Sequence, residues 1–407
     1  MKKIFFLLIF SLLTTITCNL FAQIPDLSLC EILDFINKDS LKRTVQDMQN
    51  FESRLCSRAT GNNKIVAQYL VNRLKMYDIE NARIDSFYVS GTHWIIGSYD
   101  QYMYNVSGTL KGTGNTDSTV IIGAHLDAIS YTIPEYVPTE SVPGADDNAT
   151  GCAVMIEMAR IIHEKKIKPY HNIDFMAYDA EEIGLKGSYY DAKKRKAAEE
   201  NIILMLNNDM VGTQPNDEIW EVSLQWYDNS LDIAEKTEYV LNTYTPVIPV
   251  RSDKPNSAGS DSYPYYVEKY KVIFAIEQKF SPFYHSVNDL TGFLNFEYCR
   301  QIARMNFALL DYYAGINLPL RITNENKDEH GIQVFPNPTK DIIRIHNYSD
   351  IHIGQINIYD ISGRLLLSES NLQQPQNIIH LTPLHAGIYF IRIFTDKGVV
   401  NKKIIKQ

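Results

Sequence analysis

Between about Ser40 and Asn317 the apolar positions follow two alternating rhythms. Residues 63–76 place Ile65, Val66, Tyr69, Leu70 and Leu74 at helical spacing on one face. Residues 118–124 (STVIIGA) form an uninterrupted β-branched run, the mark of a strand covered on both sides. The alternation continues with a helix over 151–165, a strand over 172–178 (NIDFMAY), a helix near 187–199 and a strand over 202–207 (IILMLN). A helix over 229–243, a strand over 271–277 (KVIFAIE) and a helix over roughly 293–314 complete it. Strands separated by helices of this length predict an α/β fold: a doubly wound, mostly parallel sheet flanked by helices.

The rhythm changes at both ends. Residues 318–331 (LPLRITNENKDEHG) are polar and aperiodic, and read as a linker. Short alternating runs then recur at 341–346, 354–359, 364–369, 377–382, 387–394 and 398–405, with turn signals at Ser362-Gly363 and Lys397-Gly398. They predict a small C-terminal antiparallel β-sandwich over 332–407. At the other end, Lys2 and Lys3 precede the apolar run Ile4–Leu13, and Leu20-Phe21-Ala22 ends in a small residue. This layout reads as a signal peptide over 1–22, which leaves 23–317 as the α/β domain and predicts a secreted or cell-surface protein. The leader is short for a membrane span and is interrupted by Thr14, Thr15 and Thr17. No other run is long enough, so no transmembrane segment is expected in the mature chain.

Charge and cysteine content narrow the chemistry. A net charge of −9 without any basic stripe argues against nucleic-acid binding. Beyond the leader, Cys30, Cys56, Cys152 and Cys299 remain. Cys152 and Cys299 fall on apolar helical patterns and read as buried thiols. Export would permit a Cys30–Cys56 bridge. None of the four lies near a ligand motif in the sequence, so thiolate metal binding is not expected.

The polar residues that stand out are hard oxygen ligands and imidazoles. His125 and Asp127 lie in GAHLDA, Asp147 in PGADDNATG, and Glu181 and Glu182 in YDAEEIGLKGS. Asp209 lies in LNNDMVG and His285 in PFYHSVND. Each follows a predicted strand or lies between a strand and a helix. Open α/β sheets bind ligands at the carboxyl ends of their strands, so these loops converge on one edge. Singly, each motif has an ordinary reading: a structural histidine, a helix cap at Asp146-Asp147, a solvated Glu pair, a turn aspartate. Together they make the donor set of a two-metal hydrolase: a bridging carboxylate, further ligands for each ion and a base.

The ordered set HLD, PGADDNATG, EEIGLKGS, NND and YHSVND resembles the zinc aminopeptidases of the bacterial leucyl and Streptomyces type (peptidase family twenty-eight, clan MH) over residues 40–317. The resemblance implies two Zn2+ ions bridged by Asp147, with Asp146 as the rival bridge. His125 and Asp209 would complete one ion, and Glu182 and His285 the other. Glu181 would be the general base, Asp127 would orient His125, and Tyr284 would hydrogen-bond the oxyanion. The substrate implied is a peptide with a free N-terminus. Ser260-Asp261 echoes a family Ser-Asp-His segment in which Ser262 here replaces the histidine. Asp289 reads as a cap after the last ligand, and the aromatic stretch Tyr131–Val142 as a pocket rim or a plain surface loop.

Two neighbours of this reading stay open. A glutaminyl-peptide cyclotransferase shares the fold and much of the metal site, and a carboxypeptidase belongs to the same clan. A non-enzymatic receptor on a decayed peptidase fold would be expected to lack ligands. After residue 331, VFPNPTKD, IYDISGRLL, LHAGIYFIRIFTD and a Lys-rich end resemble the type nine secretion sorting domain of Bacteroidetes. That resemblance implies an export machinery as partner.

Overall fold

A computed structural model describes residues 27–407 except 57–61, 115–116, 215–218, 317–331, 348–351, 361–363, 371, 373–375 and 396–397. The expected signal peptide, the linker over 318–331 and the Ser362-Gly363 turn lie outside the described residues. Helices α1 (Leu27–Leu33), α2 (Lys38–Gln49) and α3 (Asn62–Lys75) come first. In α3 the buried face is Val66, Ala67, Leu70, Val71 and Leu74. Ile65, expected on that face, points to solvent instead, because the true stripe is rotated by one residue.

Next come β1 (Arg83–His93), β2 (Gly97–Leu110), β3 (Thr119–His125), α4 (Gly151–Glu164), β4 (Asn172–Tyr178) and α5 (Lys186–Ala197). They are followed by β5 (Ile202–Asn208), β6 (Glu221–Gln225), α6 (Leu231–Tyr244), β7 (Ile248–Arg251), α7 (Ser262–Val267), β8 (Val272–Glu277) and α8 (Phe296–Ala314). Strands β1 to β8 form one sheet in the order β1-β2-β4-β3-β5-β8-β6-β7. Its centre, β4-β3-β5-β8, is parallel throughout. Antiparallel pairing begins at β2–β4 and β1–β2 on one side and at β6–β8 on the other.

The apolar central strands split their side chains between two cores. Val120, Ile122, Ile173, Phe175, Leu204 and Leu206 pack into a cluster with α4 and α8. Ile121, Met176, Met205 and Phe274 face the other way, toward Ala192 of α5 and Tyr265 of α7. A two-sided cover explains the non-alternating runs, and each fully buried aliphatic side chain contributes roughly 1.5–3 kcal/mol relative to exposure. Strands β1, β2, β6 and β7 are not evident from apolar periodicity. The pattern of β1 shows why: only Phe87 is buried among its eleven residues.

Beyond residue 331, β9 (Ile332–Phe335), β10 (Ile342–Asn347) and β13 (Gln376–His380) make one antiparallel sheet. The other contains β11 (Ile353–Tyr359), β12 (Leu365–Glu369), β14 (Gly387–Thr395) and β15 (Gly398–Lys406). Their inward isoleucines share one core. The short β9 was not expected. Cys56, Cys152 and Cys299 are free thiols, so the Cys30–Cys56 bridge is not formed. Among the described residues no helix is long and apolar enough to cross a membrane.

Candidate active site

The parallel centre of the sheet delivers its polar residues to one edge. His125 is the last residue of β3, Glu181 and Glu182 lie three and four residues past β4, Asp209 follows β5 directly, and His285 lies eight residues past β8. Asp147 comes from a distorted turn, Ala145–Thr150, that leads into α4. The backbone that aims these side chains departs from ordinary conformations. Ala180, Met210 and His285 all adopt left-handed φ of +53 to +61° although none is glycine. Each such residue costs on the order of 1–2 kcal/mol, and residues of this kind gather at functional sites.

Two imidazoles divide the carboxylates between them. His125 Nε2 lies 3.2 Å from Asp147 Oδ1 and 3.2 Å from Asp209 Oδ1. His285 Nε2 lies 3.1 Å from Asp147 Oδ2 and 3.1 Å from Glu182 Oε2. The two oxygens of Asp147 therefore face different histidines. Although it is this close to two carboxylates, His285 Nε2 makes no hydrogen bond. His125 Nε2 pairs with Asp209 Oδ1 at 3.2 Å, whereas the His285 nitrogen, unpaired between two carboxylates, is placed as a donor to a cation would be. Ligand atoms of His125, Asp147 and Glu182 lie within 4.8 Å of one another, and so do those of His125, Glu181 and Asp209. Imidazole with carboxylate, and no thiolate, fits a zinc-like divalent ion.

Electrostatics point the same way. Burial raises the carboxyl groups of Glu181 and Glu182, the latter to about 7. Burial opposes charging of His285, but the adjacent Glu182 and Asp147 overcome it and push the imidazole up to about 12. Asp147 is pulled well below the usual carboxylate range by both histidines, against the effect of its burial. So many ionisable groups of one sign are costly to bury without a compensating cation.

Further contacts hold the cluster in place. Asp146 is turned away from the histidines: its oxygens accept from Gly212 N at 2.9 Å and Thr213 Oγ1 at 2.5 Å. Asp289 accepts from the backbone N–H groups of Asp146 and Asp147 at 2.8 and 3.0 Å, capping the turn that presents Asp147. Asp127 does more than accompany His125. Its carboxylate lies 3.6 Å from His125 Nδ1 and accepts the N–H groups of Glu181 and Glu182 at 3.1 and 3.2 Å. Ser260 Oγ donates to Asp209 Oδ2 at 2.7 Å, while Ser262 bonds Tyr227 instead. Cys152, expected to lie away from the ligand motifs, instead donates its thiol to the carbonyl of His125 at 3.2 Å, through the backbone and not as a metal ligand.

Arg54 was not anticipated. Its side chain is fully buried and donates to the carbonyls of Leu126 at 2.9 Å, Pro143 at 2.5 Å and Gly144 at 2.5 Å. It thus ties the loop after β3 to the turn bearing Asp147. Gly144 has φ +52°, and a Cβ there would strike both the Arg54 guanidinium and the Asp147 carbonyl. The sequence carries no signal for Arg54, because its acceptors are backbone atoms from distant loops.

The cluster opens into a cavity of about 450 Å³. His125, Asp147, Glu181, Glu182 and Asp209 line it together with Met210, Phe274, Ile276 and Phe280 and the polar Ser223, Gln225, Glu277 and Gln278. Tyr284 also lines it, with its ring stacked on His285 at 3.7 Å. The stretch from Tyr131 is both rim and surface loop. Tyr131 places its hydroxyl 3.3 Å from His285 Nδ1, whereas Ile133 and Val137 are exposed.

A parallel α/β sheet with an acidic, imidazole-bearing cavity at its carboxyl edge is the architecture of a metal-type exopeptidase. Over the α/β region the structure resembles a zinc aminopeptidase from Bacillus subtilis, with a TM-score of 0.56 and 14% identity, covering 68% of this chain and 95% of that one. Identity that low speaks to shared fold alone. The chain belongs to peptidase family M28, which matches residues 105–310, about half its length. Leucine aminopeptidase 1 of Paracoccidioides brasiliensis is 31% identical over 207 residues, covering 48% of this chain and 52% of that protein. Leucine aminopeptidase 1 of Sclerotinia sclerotiorum is 25% identical over 289 residues, covering 69% and 72%. Residues 333–407 match the secretion system C-terminal sorting domain, which implies secretion or display at the cell surface.

Proposed function

We propose that this chain is an exported two-zinc aminopeptidase that removes N-terminal residues from peptides. The observation that carries the reading is the division of Asp147, with one oxygen toward His125 and Asp209 and the other toward His285 and Glu182. In this reading the first three residues would hold one ion and the other two, with Asp147 shared, the second. Bound there, the ions would supply an activated water and Lewis-acid polarisation of the scissile carbonyl. Glu181, which lines the same cavity, takes a proton from the attacking water and returns it to the leaving amine. The Tyr284 hydroxyl supports negative charge developing on the carbonyl oxygen. Asp127 fixes the Glu181-Glu182 backbone and the plane of His125 together. The cavity receives the first side chain, and its mix of Met210, Phe274 and Ile276 with Ser223 and Gln225 admits a medium-sized residue. The names of the curated relatives agree with such an activity.

The test is release of the N-terminal residue from a peptide panel, run with added zinc, after chelation, and after zinc is restored. Activity should vanish on chelation and return with zinc. Cleavage that persists in the metal-free protein would refute the reading. So would conversion of an N-terminal Gln peptide to its cyclised form without hydrolysis of Leu peptides.

A further inference from the structure

The β1–β2 pair is longer than the sheet requires. Only Val106–Leu110 of β2 pairs with β4. The remainder continues as a two-stranded ribbon, in register from Asp85↔Asn105 to His93↔Gly97. At its tip Ile95 is buried with Leu55, Ala128, Ile129 and Val142, which pins the turn against the loop after β3. Trp94, beside it, is 68% exposed. Its ring meets those of Tyr131 and Tyr136 edge-on at 6.0 and 5.2 Å, and the two tyrosines lie 5.7 Å apart. Tyr131 in turn packs on His285 at 5.5 Å. A line of aromatic rings therefore runs from the carboxylate–imidazole cluster to solvent, and none of the three lines the cavity.

We propose that Trp94, Tyr131 and Tyr136 form a second subsite, which holds apolar side chains of the substrate on the leaving side of the scissile bond. The proposal rests on the aminopeptidase reading above and names the class of peptide that suits it. In the aminopeptidase reading the cavity takes the residue to be removed, and the chain beyond the scissile bond leads out of it. The aromatic ledge abuts His285 without entering the cavity, and so lies where those residues emerge. The buried Ile95 holds the ledge in place before substrate arrives, which lowers the entropy cost of using it. Exposed rings recognise aliphatic and aromatic side chains through their faces and edges. Peptides with an aromatic second residue are therefore preferred over those with glycine there.

The experiment compares kcat/KM for Leu-Phe-Ala and Leu-Gly-Ala using the full chain loaded with zinc. The wild-type ratio should favour the Phe peptide by roughly five- to tenfold, the range expected of one aromatic contact. Trp94→Ala should bring the ratio close to one, and Trp94→Tyr should restore most of it. Trp94 is exposed, so truncating it leaves the core intact. Tyr102→Ala, on the same ribbon but outside the ledge, should leave the ratio as in wild type. A wild-type ratio near one, or a ratio unchanged in Trp94→Ala, would overturn the subsite while leaving the aminopeptidase reading in place. Failure to release leucine from either peptide would instead remove that reading, and the subsite with it.

Discussion

The C-terminal sheets and the large sheet both bury ranks of isoleucine, but they treat their polar residues differently. In the sandwich, Ile343, Ile345, Ile356, Ile358, Ile391 and Ile393 face a single core. No described non-glycine residue beyond 331 adopts a left-handed φ, and no metal-capable cluster is found among the described residues there. In the large sheet, the same aliphatic packing supports an edge where His125, Asp147, Glu181, Glu182, Asp209 and His285 gather and the backbone is bent at Ala180, Met210 and His285. Packing alone rewards neither the strain nor the buried charge. A region that retains both is one where stability has been given up for chemistry, and a region that lacks both serves as a scaffold or a label.

The sharpest way to break that contrast is Glu181→Gln. Glu181 lines the cavity, and no ligand role is proposed for it. The amide keeps its shape but cannot accept a proton. Turnover should fall by about a thousandfold, within the range for loss of a general base. Zinc content, measured on the purified protein, should stay at the wild-type level. If hydrolysis survived, the acidic edge would be structural after all and the contrast would dissolve.

A second test is pH. In the metal-free protein, burial raises Asp146 to about 6, Glu182 to about 7 and Asp289 to about 8. An acid whose folded value exceeds its unfolded value binds extra protons in the folded state. Its stabilisation is complete below the unfolded value, near 4, and is lost as pH rises through the folded one. Chelated protein should therefore unfold at lower urea concentration at pH 8 than at pH 5. Asp147, held low by the two histidines, opposes this trend only on the acid side. Zinc-loaded protein should show a weaker trend, because the cations keep the carboxylates ionised. Equal slopes with and without zinc would count against a cation site at this edge.

Much of this was legible in the sequence, and the reason is physical. Strands β3, β4, β5 and β8 are covered on both faces, so their apolar runs are unmistakable. Site residues that follow such strands inherit a known edge. The ribbon β1–β2 was invisible because it is half solvated, and so Trp94 could not be placed. The sequence pairs Asp127 with His125, but its contacts with two backbone N–H groups depend on the turn conformation at Ala180, which no side-chain pattern encodes. Arg54 is invisible in the sequence for the same reason: its partners are carbonyls, which carry no residue identity.

Arg54 also sharpens the comparison from the stability side. Arg54→Met would leave the carbonyls of Leu126, Pro143 and Gly144 buried without donors. The expected loss is roughly 2–4 kcal/mol, given 1–3 kcal/mol for each unsatisfied buried group and partial relaxation. Arg54→Lys should recover part of it, since an ammonium can reach some of those oxygens. Because the loops that Arg54 ties carry Asp127 and Asp147, zinc affinity should fall in the same order. A variant that lost stability while binding zinc normally would make Arg54 a packing residue with no bearing on the site.

The smallest effect is expected where the scaffold reading is strongest. Ending the chain after residue 331 removes the matched sorting domain, with its separate isoleucine core and its two antiparallel sheets. Every proposed site residue lies before that point, at Asp289 or earlier. The shortened protein, produced without any need for export, should hydrolyse peptides with kcat/KM within about twofold of the full chain, well under the tenfold that 1.4 kcal/mol represents. In the native host it should accumulate inside the cell instead of outside. A large loss of kcat/KM would mean that the sandwich contributes to the site, and the division of labour drawn above would have to be abandoned. Unchanged export would leave the catalytic half of the contrast standing but remove the role assigned to the other half.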